Sequence, residues 1–527
     1  MSDLMSFFKN VTKISTWTVG SRIGGFLREM LTAHFLGVGA IVDALVLALK
    51  IPSLIRRFTA EGTINSCFIP LFTSVYEKKG LKQAKLFAAS VLSISVCILL
   101  TLSVLFALFT KPILLFLFPA LLKTPDRMLY AIYFSRIMFP FVLFISITAV
   151  YGGVLNAIGR FTAFAASPFF GNLFIIAVVL VFLDLKDPTK IDIFSRGIVF
   201  AWAILFSGVV QLLVVLTDAL RNDLFLPLLV PQKTPEIKSF FKRLGPSVMS
   251  SGIAQINIFV GLFIASWLPT GSISYLNYAD RLVQLPLSVV GTAMGVALLP
   301  LLTKNLCQNK IQEANGYQET ALAFSFLFSS FFFLAFVILS DFVVALVFKH
   351  GAFKSHDALA TAKALAAYAW GLPAYIMIKI LSARFFAKGQ VKLPLIASAA
   401  SLLVDMVLSI LLARVMGHVG IAIAASVAAW VNVLGLSLLL HKHKEWTWPR
   451  HLLFFIFKVT LLSFSLIVAL GHFMQGHFSY VTTKIDAVFY TGTLGLFLLM
   501  LFGVGLRVAC WAEIQKIISL IKKKQKI

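Results

Sequence analysis

The chain has 527 residues, of which 59% are hydrophobic and only 13% charged, with 46 Lys and Arg against 21 Asp and Glu and a formal charge of +25. A mean hydropathy of +0.94 excludes a soluble core wrapped in a solvated shell and marks an all-α polytopic membrane protein. In a soluble chain so basic a balance would suggest nucleic acid; in a membrane chain it is what cytoplasmic loops carry, and no nucleic-acid partner is expected.

From the N-terminus, SDLMSFFKNVTK lacks a compact apolar core followed by a small-residue cleavage site, so the first span is expected to remain in the mature protein. Apolar segments long enough for a hydrocarbon core of about 30 Å then recur at 12–36, 41–76, 86–110, 128–154, 163–183, 195–217, 243–268, 272–302, 317–340, 358–383, 394–413, 418–440, 452–473 and 487–508. Fourteen spans are therefore predicted. With the N-terminus placed in the cytoplasm, the inner loops carry Lys78, Lys79, Lys82 and Lys85, then Arg160, then Arg221, Lys233, Lys238, Lys242 and Arg243. Further inner positions are Lys304 and Lys310; Arg384, Lys388 and Lys392; Lys442, Lys444 and Arg450; and the tail Lys522, Lys523, Lys524 and Lys526. The outer loops are poorer in Lys and Arg, apart from Lys111, Lys123 and Arg127 and from Lys349 and Lys354. An even number of spans with both termini inside satisfies the positive-inside rule to the end of the chain.

An internal repeat shows through the apolar background. Gly39-Ala40-Ile41 after span one is echoed by Gly271-Ser272-Ile273 after span seven, and FIPLFT at 68–73 by LLPLLT at 298–303. The shared offset equals six spans, so the halves are expected to be parallel repeats with a substrate site between them near the midplane. The expected organisation is an N-terminal lobe at 1–218, a cytoplasmic linker at 219–242, a C-terminal lobe at 243–441, an appendage of two spans at 442–508 and a basic cytoplasmic tail at 509–527. The appendage suits either a lipid-facing groove for an acyl chain or plain packing; the tail reads as an orienting flank.

Two stretches are too polar for ordinary spans. The first holds Ser21, Arg22, Arg28, Glu29, Asp43, Lys50, Ser53, Arg56, Arg57 and Glu61; the second holds Asn277, Asp280, Arg281 and Gln284. A lone cation near the bilayer centre costs about 3 kcal/mol on insertion scales, so such residues face a hydrated interior and mark what moves through it. Arg57 and Glu61 lie one turn apart and suit a neutralising pair, Asp280 suits an arginine of the other half, and Arg22 has a second reading as a residue that snorkels to the interface. Lys50, Ser53 and Arg57 share a helix face. Arg28, Arg56 and Arg281 are left for an anionic cargo, and planar guanidinium groups match phosphate oxygens two at a time, which suits a pyrophosphate. Gly24-Gly25 interrupts span one, Pro52 is expected to break span two, and Pro286 with Gly291 and Gly295 loosens span eight, all positions suited to hinges.

Other chemistry is not supported. No GxxxxGK[ST] loop, HExxH, GxSxG or carboxylate cluster for a divalent metal occurs. Cys67, Cys97, Cys307 and Cys510 are scattered, without CxxC pairs. Asp405, alone in span eleven near Ser401, is a candidate monovalent-cation ligand or a hydrogen-bonded carboxyl. A drug exporter on a repeated fold would not need the N-terminal arginines, a polyprenyl-phosphate membrane enzyme would need acidic residues at one interface, and an inert scaffold would leave the arginines unexplained.

The block SRIGGFLREMLTAHFLGVGAIVDALVLALKIPSLIRRFTAEGTINSCFIP at 21–70 resembles the N-terminal block of the MurJ (MviN) lipid II flippases, whose pattern is close to SRxxGFxRD followed by GxGxxxDAFxxAxKxPNxxRRxxAEGxxxxxFxP. YADRLVQLPLSVVGTAMGVALLP at 278–300 and GGVLNAIGRF at 152–161 resemble two further blocks. The resemblance implies a multidrug/oligosaccharidyl-lipid/polysaccharide exporter fold of 14 transmembrane helices, with two six-helix lobes around a cationic cavity. It implies movement of lipid II, the undecaprenyl-pyrophosphate-linked peptidoglycan precursor, to the outer leaflet of the bacterial inner membrane by alternating access. On this likeness the cavity arginines fall on Arg22, Arg28, Arg56 and Arg281, the functional aspartate on Asp43 and the lysine on Lys50. Ser21 and Ser53 join them as substrate-binding residues, and Glu29, Arg57, Glu61 and Asp280 as charge-pairing ones. Departures are Glu29 for Asp, Ser53 for Asn, Gln284 for an acidic residue, and FFAKGQVKLP at 385–394, which lacks the Tyr, Asp and Thr of the family loop. Gly261 stands where some relatives place a sodium-binding carboxylate. Lipid II and the bilayer are the implied partners, with other peptidoglycan-synthesis membrane proteins as candidates; no cofactor is implied.

Without a cofactor, the membrane potential or a monovalent-cation gradient is left as the driving force. If about two negative charges of the pyrophosphate leave an inside-negative cell at 100 mV, they gain roughly 4–5 kcal/mol. Collapsing the potential in vesicles at a fixed proton gradient is expected to stop transport; unaltered transport would rule this driving force out.

Overall fold

The computed structural model describes residues 2–59, 63–184, 191–229, 234–477, 500, 502 and 503. Glu61, Lys233, span fourteen apart from three positions, and the basic tail lie outside the described residues, as does the side chain of Arg57. Every regular element among the described residues is a helix, and nine of these helices are long and apolar enough to cross a membrane. By contacts the chain forms two units, Met1–Ser274 with His350–Lys354, and Tyr275–Lys349 with Ser355–Ile527.

In the first unit, α1 (Ser2–Leu36) ends at Gly37, whose φ of 63° and N–H bond to the Ala33 carbonyl at 2.9 Å form a left-handed cap. The chain turns at once into α2 (Ala40–Thr59), which runs through Pro52 without a break. The expected break is absent because membrane helices tolerate a proline where neighbours satisfy the freed backbone. The next element, α3 (Thr63–Leu117), is two helices joined by a fold at Gly80 (φ 78°, ψ 173°), so spans two and three part there. Span four is also two helices, α4 (Pro125–Met138) and α5 (Phe141–Ala157), because Pro140 has no N–H with which to continue the first. Helices α6 (Thr162–Phe182), α7 (Ile193–Leu220) and α8 (Pro235–Ser266) complete the unit. Asp192 caps α7 by accepting from the Ser195 N–H at 2.9 Å, and its bonds from Ser195 hold its carboxyl below the usual range. By packing, α8 lies on α2 and α3.

The second unit contains α9 (Ser272–Pro286), a π turn (Leu287–Thr292), α10 (Ala293–Cys307) and α11 (Ile311–Ile338). Pro286 withdraws one helical bond, and the chain resumes through the wider π turn. A short helix not anticipated from the sequence, α12 (Ser340–Phe348), precedes α13 (Ser355–Ala369) and α14 (Leu372–Ala387), which together form span ten. Helices α15 (Lys392–Met416), α16 (His418–Lys442) and α17 (Arg450–His477) follow.

The repeat is written in the backbone of each unit. Left-handed residues occur in pairs roughly 230 residues apart at Gly80 and Asn309 and at Gly159 and Gly389, and a third pair stands at Asp223 and Lys444. The last two pairs close in the same way. An N–H reaches back five residues, from Arg160 to the Leu155 carbonyl at 2.8 Å and from Gln390 to Phe385 at 2.9 Å. Leu224 to Ala219 and Glu445 to Leu440, both at 2.9 Å, repeat that helix-ending bond.

Candidate functional site

The first-unit arginines are built onto α1 by α6. Asn172 of α6 donates to the Ser21 carbonyl at 3.1 Å and accepts from Arg28 Nη1 at 3.3 Å, so one amide ties two turns of α1. Arg28 Nη2 donates to Glu29 Oε1 at 2.9 Å, and Glu29 is buried. A Cβ on Gly24 would lie 3.2 Å from Asn172 Cβ, so this glycine admits the close approach of α6. Arg22, Lys50, Ser53 and Arg56 are all half-buried, the last three on α2. These positions suit cations that border a hydrated space without being packed away.

The second unit holds Asp280 and Arg281, both half-buried on α9. Gln284 Nε2 donates to Asp280 Oδ2 at 2.5 Å, so the glutamine that departs from the family pattern gives this carboxylate a partner one turn away. Asp405 is buried in α15 and accepts from Ser409 Oγ at 3.3 Å, whereas Ser401 gives its hydroxyl to the Ala428 carbonyl of α16 at 2.7 Å. Among the described residues no group of three or more His, Cys, Asp and Glu is placed to hold a metal ion.

Asp43 occupies the most completely bonded position. It is 0% exposed, and its oxygens accept from Gly271 N at 2.8 Å, Ser274 N at 2.9 Å, Ser274 Oγ at 2.6 Å and Arg127 Nη1 at 3.3 Å. Arg127, 1% exposed, spends Nη2 on the Ser266 carbonyl at 2.6 Å and Nε on Thr124 Oγ1 at 3.2 Å. One charge pair thus clasps α2, α4, the end of α8 and residues 271–274. Beside it the loop at 350–354 docks on the end of α1, with Ala352 N donating to the His34 carbonyl at 2.8 Å. A Cβ on Gly351, at φ +58°, would sit 2.3 Å from that carbonyl oxygen, so only glycine fits.

Sequence reasoning missed Arg127 as Asp43's partner. The signal was present: the positive-inside reading leaves Arg127 as a stray cation in a loop expected to be outer, and Asp43 as a carboxylate at the end of span two expected on that side. Arg384, assigned to an inner loop, is instead buried on the last turn of α14, where it donates to Asn315 Oδ1 at 2.9 Å, Gln318 Oε1 at 3.0 Å and the Glu445 carbonyl at 2.6 Å. Lys388 forms an ion pair with the Glu445 side chain.

A helical bundle of this length, with charged residues held at depth in both units and a backbone repeat, defines a polytopic membrane transporter. The fold is that of a solved structure titled "Lipid II flippase MurJ, inward closed conformation", with a TM-score of 0.77 and 24% identity over 94% of this chain and 98% of that one. An inward-facing multidrug resistance MATE family transporter of the MOP superfamily shares it at a TM-score of 0.68 and 15% identity, over 81% of this chain and 96% of that one. The family model described as "Lipid II flippase MurJ" matches residues 32–489, and the chain belongs to this family. A relative from Rhizobium tropici, named "Probable lipid II flippase MurJ", is 33% identical over 510 residues, covering 95% of this chain and 93% of its own.

Removing one partner of a buried pair leaves an uncompensated charge and costs about 3–5 kcal/mol. Arg127→Ala and Asp43→Ala are each expected to lower the thermal melting temperature of the purified protein sharply, and the double substitution by less than the sum. Additive losses would show that the two residues are not coupled.

Proposed function

We propose that this chain is a lipid II flippase, a transporter rather than an enzyme, acting in peptidoglycan synthesis at the bacterial inner membrane. Membership of the MurJ family over residues 32–489 carries the reading. Alternating access fits the shared fold, since the cargo's charged head must cross the hydrocarbon without being exposed to it.

Within this reading Arg22, Arg28, Arg56 and Arg281, with Lys50, Ser21 and Ser53, receive the pyrophosphate and adjoining head group. Their half-burial supports it: a guanidinium bordering water keeps donors for phosphate oxygens while its stem packs. Glu29 and Asp280 hold neighbouring side chains in place, the spacing of Arg57 and Glu61 in the sequence suits charge pairing, and Asp43 fastens one of the two alternating states through its clasp. Asp405 is a candidate ligand for a driving cation, beside the membrane potential. Both termini lie in the cytoplasm, and other peptidoglycan-synthesis membrane proteins are candidate partners.

The test is leaflet accessibility of lipid II in cells depleted of their own flippase and supplied with this chain. Wild type is expected to restore outer-leaflet exposure. Arg28→Ala is expected to fail, since losing charge-assisted bonds weakens head-group binding by about 2 kcal/mol, or some thirtyfold. A well-expressed wild type that restores nothing would overturn the proposal.

A further inference from the structure

Reading the sequence for charge passed over Asn172, an uncharged residue within the apolar run FFGNLFII of α6. The face of α1 that meets it is cut back to the backbone. Trp17 packs on Phe169 and Phe170, with ring centroids 5.5 and 5.8 Å away, and a Cβ on Gly20 would lie 3.3 Å from Phe169 Cδ2. One turn on, a Cβ on Gly24 would lie 3.2 Å from Asn172 Cβ. Gly20 and Gly24 stand four residues apart, the spacing that lets two membrane helices approach closely. Helix α6 also packs against α7, where a Cβ on Gly171 would lie 2.6 Å from Gln211 Nε2. Asn172 thus sits on a helix held between two neighbours, and its amide keeps a fixed aim.

Both ends of that amide are used on α1. Nδ2 donates to the Ser21 carbonyl at 3.1 Å, and Oδ1 accepts from Arg28 Nη1 at 3.3 Å. Gly24-Gly25 lie between those two residues, and α1 runs through them as one helix. Adjacent glycines are a weak stretch of any helix, so the amide braces the segment that carries Arg28. On the guanidinium itself, Nη2 donates to Glu29 Oε1 at 2.9 Å. Each terminal nitrogen is therefore held by one bond. A guanidinium has five N–H, and the other three of Arg28 have no partner among the described residues.

We propose that Asn172 is a positioning residue for the cargo, one that aims the Arg28 guanidinium so that its remaining N–H groups meet phosphate oxygens. This rests on the lipid II reading, in which Arg28 receives the pyrophosphate. Phosphate is gripped by a planar fork of donors in fixed geometry. A long side chain gives up rotamer freedom when it binds, and one already held at both terminal nitrogens has less to give up. The choice of side chain fits the task as well. An amide orients a guanidinium without cancelling its charge, whereas a carboxylate at 172 would leave less charge for an anion.

The experiment measures lipid II binding to the purified full chain for wild type, Asn172→Leu, Arg28→Ala and the double variant. Asn172→Leu fills the seat against Gly24 without either bond, and is expected to weaken binding about fivefold, the loss of one aiming contact. Asn172→Ala, which removes atoms and adds none, is run beside it and should behave the same. In the Arg28→Ala background neither substitution should weaken binding further, because the group through which Asn172 acts is gone. An amide that only supports the bundle would cost binding whether or not Arg28 is present. Melting temperatures close to wild type establish that the variants are folded. Asn172 variants that bind as wild type does, or that lose the same factor with and without Arg28, overturn this inference alone. Wild type that does not bind lipid II, or Arg28→Ala that binds it as wild type does, overturns the cargo reading of Arg28 and this inference with it.

Discussion

Charge held inside an apolar bundle is the constraint on which the rest of this structure depends. Each ion taken from water costs several kcal/mol, and only well-aimed partners recover it. Asp43 and Arg127 meet that demand with bonds from every side: two backbone amides, a hydroxyl, a carbonyl and a threonine oxygen. The clasp therefore fixes where α2, α4, the end of α8 and residues 271–274 lie within the first unit, because displacing any of them strands a charge. Gly37 and Gly351 serve the same region by letting backbone pass where a Cβ would collide.

The charged side chains of the two units sort into two kinds. Arg127 and Arg384 are the two largest fully buried side chains among the described residues, and both end on carbonyls and side-chain oxygens of neighbouring helices. They are parts of the scaffold. Arg22, Arg28, Arg56 and Arg281 are half-buried. Cations kept at the edge of water inside a membrane protein mark a route for anions. In the second unit the π turn follows Arg281 along the chain, where a helix with one irregular turn bends more easily than a regular one.

Much of this was legible in the sequence for physical reasons. A hydrocarbon core demands long apolar runs, so nine helices of membrane length among the described residues were legible as apolar segments, and the offset between GAI and GSI matched the repeat seen in the paired left-handed turns. The breaks inside spans were harder. Gly80 and Pro140 split or fold helices where hydropathy stays high, whereas Pro52 leaves its helix intact, since the outcome depends on what the neighbouring helices offer the freed backbone. Buried partnerships were illegible because they join distant positions: Asp43 with Arg127, and Arg384 with Gln318 and the Glu445 carbonyl.

The central claim is that the half-buried cations border a water-filled route used by an anion. The direct test places single cysteines at positions 22, 56 and 281 of a chain whose own four cysteines are replaced, and treats intact vesicles with a negatively charged, membrane-impermeant thiol reagent applied from either side. A control cysteine at Leu403, 60% exposed on α15, faces lipid in this account. The account predicts labelling at the three cationic positions, suppression of it by lipid II, and none at Leu403. Unreactive cysteines at 22, 56 and 281, or labelling that lipid II leaves unchanged, would contradict it.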